Sequence, residues 1–202
     1  MSLHVSRPPA GRRHLAELTE PLAALSADAP RLELWGRRLA GVLLRGGRLL
    51  AAGNGGSASQ AQHLTSELVG RYRDDRAPFS AIALCTEGSA LTAIGNDYGL
   101  EEVFARQVRG HGRPDDVLVA LSTSGCSANV LAAVDAAHEV GLTTWALTGV
   151  PGNPLARRCD DAFCVDSRHT ATIQEIHLIA IHLLCAAVDD ALADLSLNGG
   201  GP

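Results

Sequence analysis

Leu49-Leu50-Ala51-Ala52 runs without a polar side chain into Gly53-Asn54-Gly55-Gly56-Ser57, and a helical stretch follows from Ser57 to Gly70. An apolar run this short, without alternation, suits a strand buried on both faces, and such strands belong to parallel sheets covered by helices. Glycines at the break let the backbone turn tightly and approach a ligand. A helix N-terminus there offers unpaired N–H groups and a positive dipole end, which suit a phosphate. His63 and Glu67 are four apart and share one helical face. One element could therefore hold an anion at its start and carry an acid–base or metal pair one to two turns later.

The rest of the chain repeats this alternation. Apolar spacing at Leu15, Leu18, Leu22 and Leu25 predicts a helix over 12–26. A break at Ser26–Pro30 and a second leading helix over 30–44 follow, stopped by Arg45-Gly46-Gly47. Strands are expected at 48–52, 80–84, 116–121, 143–147 and 162–165, with helices at 57–70, 89–94, 101–110, 127–140 and 154–159 and a long one at 172–192. Strand–helix alternation of this kind predicts an α/β fold, a doubly wound parallel sheet flanked by helices, with ligands at the strand C-termini. Residues 1–11 read as a flexible arm, 12–195 as a single domain with two leading helices, and 196–202 as a disordered tail.

Composition removes several function classes. The chain has 202 residues and a formal net charge of −5, which leaves no electrostatic footprint for nucleic acid. No run approaches 18 apolar residues and the N-terminus lacks a signal-peptide core, so no membrane span and a cytoplasmic location are expected. All 17 basic residues are arginine. Without lysine there is no Schiff base to a carbonyl and no P-loop cation. The five cysteines, with no CxxC pair, read as reduced and mostly buried thiols.

Leu121-Ser122-Thr123-Ser124-Gly125-Cys126-Ser127 has the design of the first loop, with hydroxyls in place of glycines. A single Ser or Thr there would be an ordinary N-cap. Four hydroxyls, on Ser122, Thr123, Ser124 and Ser127, favour an anion site. Near the C-terminus, Gln174-Glu175-Ile176-His177-Leu178-Ile179-Ala180-Ile181-His182 is an apolar helix whose polar residues need partners if buried. His177 and Glu87 are read as structural.

Taken together, Gly53-Asn54-Gly55-Gly56-Ser57, His63 with Glu67, Gly70-Arg71-Tyr72-Arg73, Gly95-Asn96-Asp97, Ser122-Thr123-Ser124-Gly125 with Ser127, and Gln174-Glu175-Ile176-His177 with His182 resemble the sugar isomerase (SIS) family, most closely its phosphoheptose isomerases. The similarity covers about residues 12–192. It implies a five-stranded parallel α/β sandwich, a homotetramer with active sites between subunits, and conversion of sedoheptulose 7-phosphate to D-glycero-D-manno-heptose 7-phosphate. It also implies one zinc ion per subunit held by His63, Glu67, Gln174 and His182, with Glu67 and His182 as acid and base. Substrate contacts are implied for Asn54, Gly55, Ser57, Arg71, Asp97, Ser122, Thr123, Ser124, Ser127 and Gln174. The chemistry is consistent, because moving a carbonyl from C2 to C1 through an enediol(ate) needs a base, an acid and positive charge near two oxygens. Gln174 and His182 are eight apart, roughly 12 Å along one helix, so they reach one metal from either side of it or from different subunits.

The chain departs from the family pattern at Cys126, commonly Asn, at Ser59-Gln60, more often acidic, and at Ala171-Thr172, often Asp-Arg. The last departure keeps an isomerase of another sugar phosphate as an alternative. A non-enzymatic SIS tetramer that binds the replication initiator is a second alternative, against which the retained metal-ligand positions argue.

Overall fold

The computed structural model describes residues 9–198. Five strands form one all-parallel sheet in the order β2-β1-β3-β4-β5: β1 (Leu49–Gly53), β2 (Ala81–Ala83), β3 (Val117–Ser122), β4 (Thr143–Thr148) and β5 (Asp161–Cys164). The helices are α1 (Ala10–Leu44), α2 (Gly56–Val69), α3 (Gly88–Tyr98), α4 (Glu102–His111), α5 (Ala128–Val140), α6 (Pro154–Arg158) and α7 (Thr170–Asn198). The chain moves outward from β1 to β2, then returns to β3 on the other side of β1. The C-terminal ends of β1 and β3 therefore flank the point where strand order reverses, which is where open α/β sheets bind ligands.

Strand residues alternate between two cores, as a pleated sheet requires. Leu49, Ala51, Val117, Val119, Leu121, Trp145 and Leu147 face α1, α2 and α7. Leu50, Ala52, Leu118, Ala120 and Ala146 face α4 and α5. Both faces being covered explains why β1 and β3 are buried along their whole length.

The expected pair of leading helices is one continuous helix. Pro21 and Pro30 lie inside α1 without ending it. Each proline forfeits one backbone hydrogen bond, but Leu25, Leu32, Trp35, Leu39 and Leu43 keep one face of α1 in the core on both sides of Pro30. Tertiary burial outweighs the local break signal. Trp35 stacks on Trp145 with centroids 4.9 Å apart and planes 9° from parallel, and its Nε1–H donates to Asp161 Oδ2 at 2.7 Å. Arg31 donates to the same carboxylate. At Gly36 a Cβ would stand 2.4 Å from the Ala187 Cβ, so α1 and α7 meet through a position that admits no side chain.

Other boundaries shift. Residues 10 and 11, assigned to the arm, begin α1, and α7 extends to Asn198, into the expected tail. Residues 1–8 of the expected arm and 199–202 of the expected tail lie outside the described residues. The Thr170–Asp194 stretch of α7 is long and apolar enough, by length and composition, to cross a membrane. Its apolarity has another origin, since Ile173, Ile176, Ala180, Ile181, Leu184 and Val188 are buried in the core beside α1 and α2. The five cysteines are free, but Cys185 alone is fully buried and Cys126 is exposed, against the expectation of mostly buried thiols.

Candidate active site

The first loop places α2 so that its His63–Glu67 face meets α7. His63 Nε2 lies 3.0 Å from His182 Nε2 and 3.4 Å from Glu67 Oε1. Ligand-capable atoms of the three residues all lie within 4.8 Å of one another, and each residue is half-buried. Two imidazole nitrogens in a tetrahedral metal site, each about 2 Å from the ion, stand about 3.3 Å apart. The pair here is close to that spacing, and a carboxylate oxygen converges on it. The donor set fits a metal ion. Burial, and then the neighbouring His63, push the His182 imidazole below its ordinary range, with Glu67 opposing and Arg73 adding to the effect. His182 is therefore neutral near pH 7, the form that ligates a metal or donates a hydrogen bond.

Gln174, expected as a fourth ligand, does not join this group within the chain. Its side chain lies against the start of α2, where a Cβ on Gly56 would come within 2.4 Å of Gln174 Nε2. Gln60 holds the Gln174 backbone carbonyl at the same level. Gly56 and His63 are seven residues apart, about 10 Å along α2. Because α2 and α7 run side by side, Gln174 meets the first turn of α2 while His182 meets its third.

The second loop closes on itself through its hydroxyls. Ser122 Oγ is 3.1 Å from Ser127 Oγ and 3.4 Å from Ser124 Oγ. The Gly125 N–H donates to Ser122 Oγ at 3.1 Å and the Cys126 N–H to Ser124 Oγ at 3.2 Å. These contacts hold the serine hydroxyls together at the loop, and a hydroxyl hydrogen can rotate from a neighbouring oxygen to a ligand. Gly125 has φ +63, and a Cβ there would meet Asn153 Oδ1 at 2.0 Å, so the turn requires glycine. The two loops are joined by reciprocal amide bonds between Asn54 and Asn129, at 2.9 and 3.0 Å. Ser57 is buried at the head of α2 and Gly55 is exposed beside Asn54. A cleft of about 600 Å³ opens against Asn54 and Gly55 and is walled by Leu91, Asn96 and Phe104.

Arg71 and Asp97 are exposed. The Arg71 guanidinium donates to the Arg73 carbonyl at 2.5 Å, and the Asp97 carboxylate accepts from Asn96 at 2.8 Å. No hydrogen bond ties either to the His–Glu cluster. Glu87 is structural, as expected, and caps α3 by accepting from the Ser89 N–H at 3.2 Å and from the Ala90 N–H.

Two residues support the site from outside the His–Glu cluster. Arg76 donates to the Glu67 carbonyl at 2.7 Å and the Leu68 carbonyl at 3.0 Å, and pairs with Asp189 at 2.9 Å. It ties the C-terminal turn of α2 to α7 and so fixes the backbone that carries Glu67. His177 is fully buried, and its Nε2–H donates to the Thr148 carbonyl at 3.0 Å. The Thr148 hydroxyl donates in turn to the Ser122 carbonyl at 2.7 Å. The same helix that carries His182 is thereby linked to the hydroxyl loop. The Gln174–His177 motif and the polar residues of an apolar helix drew attention to His177, but its partners could not be read.

Burial lowers the His177 pKa from 6.5 to about 4, and its Nδ1 has no partner. The unfolded chain takes up this proton first as pH falls. Stability is therefore full above pH 6.5 and is lost as pH drops toward 4, by about 3 kcal/mol for this group. His177→Gln keeps an N–H donor and removes the titration. Urea unfolding at pH 7 and pH 4.5 is expected to show a smaller acid loss in the variant than in the wild type.

A parallel sheet in this order, with two polar loops at its switch point, is the architecture of a SIS-type sandwich, and a family model for the SIS domain matches residues 13–149. Over 179 residues the chain is 63% identical to a phosphoheptose isomerase of Streptomyces coelicolor, covering 89% of this chain and 78% of that one. A solved phosphoheptose isomerase from Neisseria gonorrhoeae shares 42% identity with a TM-score of 0.82, over 89% of this chain and 96% of that one. Another, from Francisella tularensis, shares 34% identity with a TM-score of 0.84 over the same proportions. The chain belongs to the phosphoheptose isomerase family of SIS-domain proteins.

Proposed function

We propose that this chain is an aldose–ketose isomerase that converts sedoheptulose 7-phosphate to D-glycero-D-manno-heptose 7-phosphate. The convergence of His63, Glu67 and His182 beside two anion-suited loops carries this reading, and the relatives named above support the substrate. The phosphate sits on the hydroxyls of Ser122, Thr123, Ser124 and Ser127 and on the head of α2 at Ser57, which fixes the sugar in register. Asn54, Gly55 and Gln174 line the path between the loops and α7 and contact sugar hydroxyls. Glu67 takes the C1 proton and His182 supplies a proton toward C2, so that an enediol(ate) forms and collapses. His63, Glu67 and His182 would hold one zinc ion per subunit. Bound there, zinc supplies a Lewis acid for the carbonyl and its neighbouring hydroxyl.

The proposal extends to a homotetramer with sites between subunits. Leu15, Leu22 and Leu178 are large apolar side chains left exposed, and α3 has no fully buried residue. Arg71 and Asp97 would then contact substrate across such an interface. A sugar phosphate is doubly charged and stays where it is made, which supports a cytoplasmic place of action.

Metal-analysed protein incubated with sedoheptulose 7-phosphate, with hexose and pentose phosphates alongside, tests the reading. Turnover of the heptulose that a chelator removes and zinc restores is expected. Turnover of a hexose or pentose phosphate alone would move the assignment to another sugar. No turnover, no metal and binding to a replication initiator would overturn it.

A further inference from the structure

The hydroxyl loop must hold a phosphate dianion, yet neither loop brings a cation. Residues 53–62 and 121–131 contain no charged side chain, and the chain has no lysine. A cavity of about 370 Å³ lies beside the second loop. Thr123 and Ser124 line it on one side, and Ser167, Arg168 and Thr170 on the other. Thr170 opens α7, so the N-terminus of a long helix also borders this space. Arg168 is exposed, and among the described residues its guanidinium makes no hydrogen bond or ion pair. Its other side borders a second cavity lined by Glu20, Asp28 and Asp166, and it pairs with none of them.

We propose that Arg168 is the cation that completes the phosphate subsite, reaching across this cavity to the phosphate held by the Ser122–Ser127 hydroxyls. This rests on the reading that the loop binds the phosphate of the substrate. A guanidinium presents a planar fork of donors that matches two phosphate oxygens, and such charge-assisted bonds are the strong ones. Because the position is on the loop before α7 rather than in either anion loop, the residue acts on binding of the phosphate and not on proton transfer.

Calorimetric binding of inorganic phosphate and steady-state kinetics on zinc-loaded protein test this, comparing wild type with Arg168→Ala and Arg168→Lys. Removal of the guanidinium is expected to weaken phosphate binding and raise KM by about 10-fold or more, with kcat changed by less than about threefold. The lysine variant recovers part of the loss, and raised salt narrows the gap between wild type and alanine variant. Phosphate affinity and KM unchanged in Arg168→Ala would overturn the proposal and leave Arg168 to the acidic cavity. Wild type that binds phosphate but does not turn over the heptulose phosphate would instead count against the assigned reaction, while the calorimetric comparison still decides the role of Arg168.

Discussion

Glu67→Gln is expected to lower kcat by roughly 10³-fold or more while the fold and the affinity for inorganic phosphate stay near wild type. Positioned acid–base groups contribute on the order of 10²–10⁴-fold, and Glu67 also supplies the carboxylate of the three-residue donor set. The amide keeps the size and loses the basicity. Its backbone remains held by Arg76 through the Glu67 and Leu68 carbonyls, so the helix turn has no reason to shift. Circular dichroism and phosphate calorimetry on the variant separate lost chemistry from lost structure. A variant retaining more than about a tenth of wild-type kcat would remove Glu67 from the proton transfers.

Trp35→Ala is expected to cost about 4 kcal/mol of stability and to lower Tm by roughly 10 °C. The indole is fully buried, lies flat on Trp145 and donates to Asp161. Its removal opens a cavity between α1 and the sheet and takes the indole donor from Asp161 Oδ2, while Arg31 and the Ala162 N–H stay on Oδ1. Trp35→Phe keeps most of the stacking area and is expected to lose about half as much. This position lies on the C-terminal side of Pro30, on the face that holds α1 as one helix. Chemical denaturation with both variants measures the difference, and a loss under about 1 kcal/mol for the alanine variant would contradict this account of why the helix is continuous.

The centre of the sheet was legible because β1 and β3 are short apolar runs bounded by turn residues, and two-sided burial leaves no alternation in them to misread. The break expected at Ser26–Pro30 failed because proline reports a local cost, whereas the continuity of α1 is decided by Leu25, Leu32, Trp35 and Leu39 packing on elements distant in sequence. Of the site, His63 and Glu67 could be paired from their spacing alone. Joining His182 to them required the resemblance, since 119 residues separate it from His63. Gln174 meets the first turn of α2 within the chain, which was not legible because helix spacing says how far apart two side chains are and not which neighbour each meets. Gly56 opens α2, and Gln174 occupies the space its missing side chain leaves. Arg76 and His177 act through backbone carbonyls, which every residue has, so no residue pattern announces their partners.

The most direct measurement is proton NMR of sedoheptulose 7-phosphate incubated with the zinc-loaded protein in D2O. The account predicts an aldose 7-phosphate carrying deuterium at C2, because the proton taken by Glu67 from C1 exchanges with solvent before C2 is protonated. Failure to form the aldose, or an aldose that retains only protium at C2 as a direct hydride shift would leave it, would contradict the account.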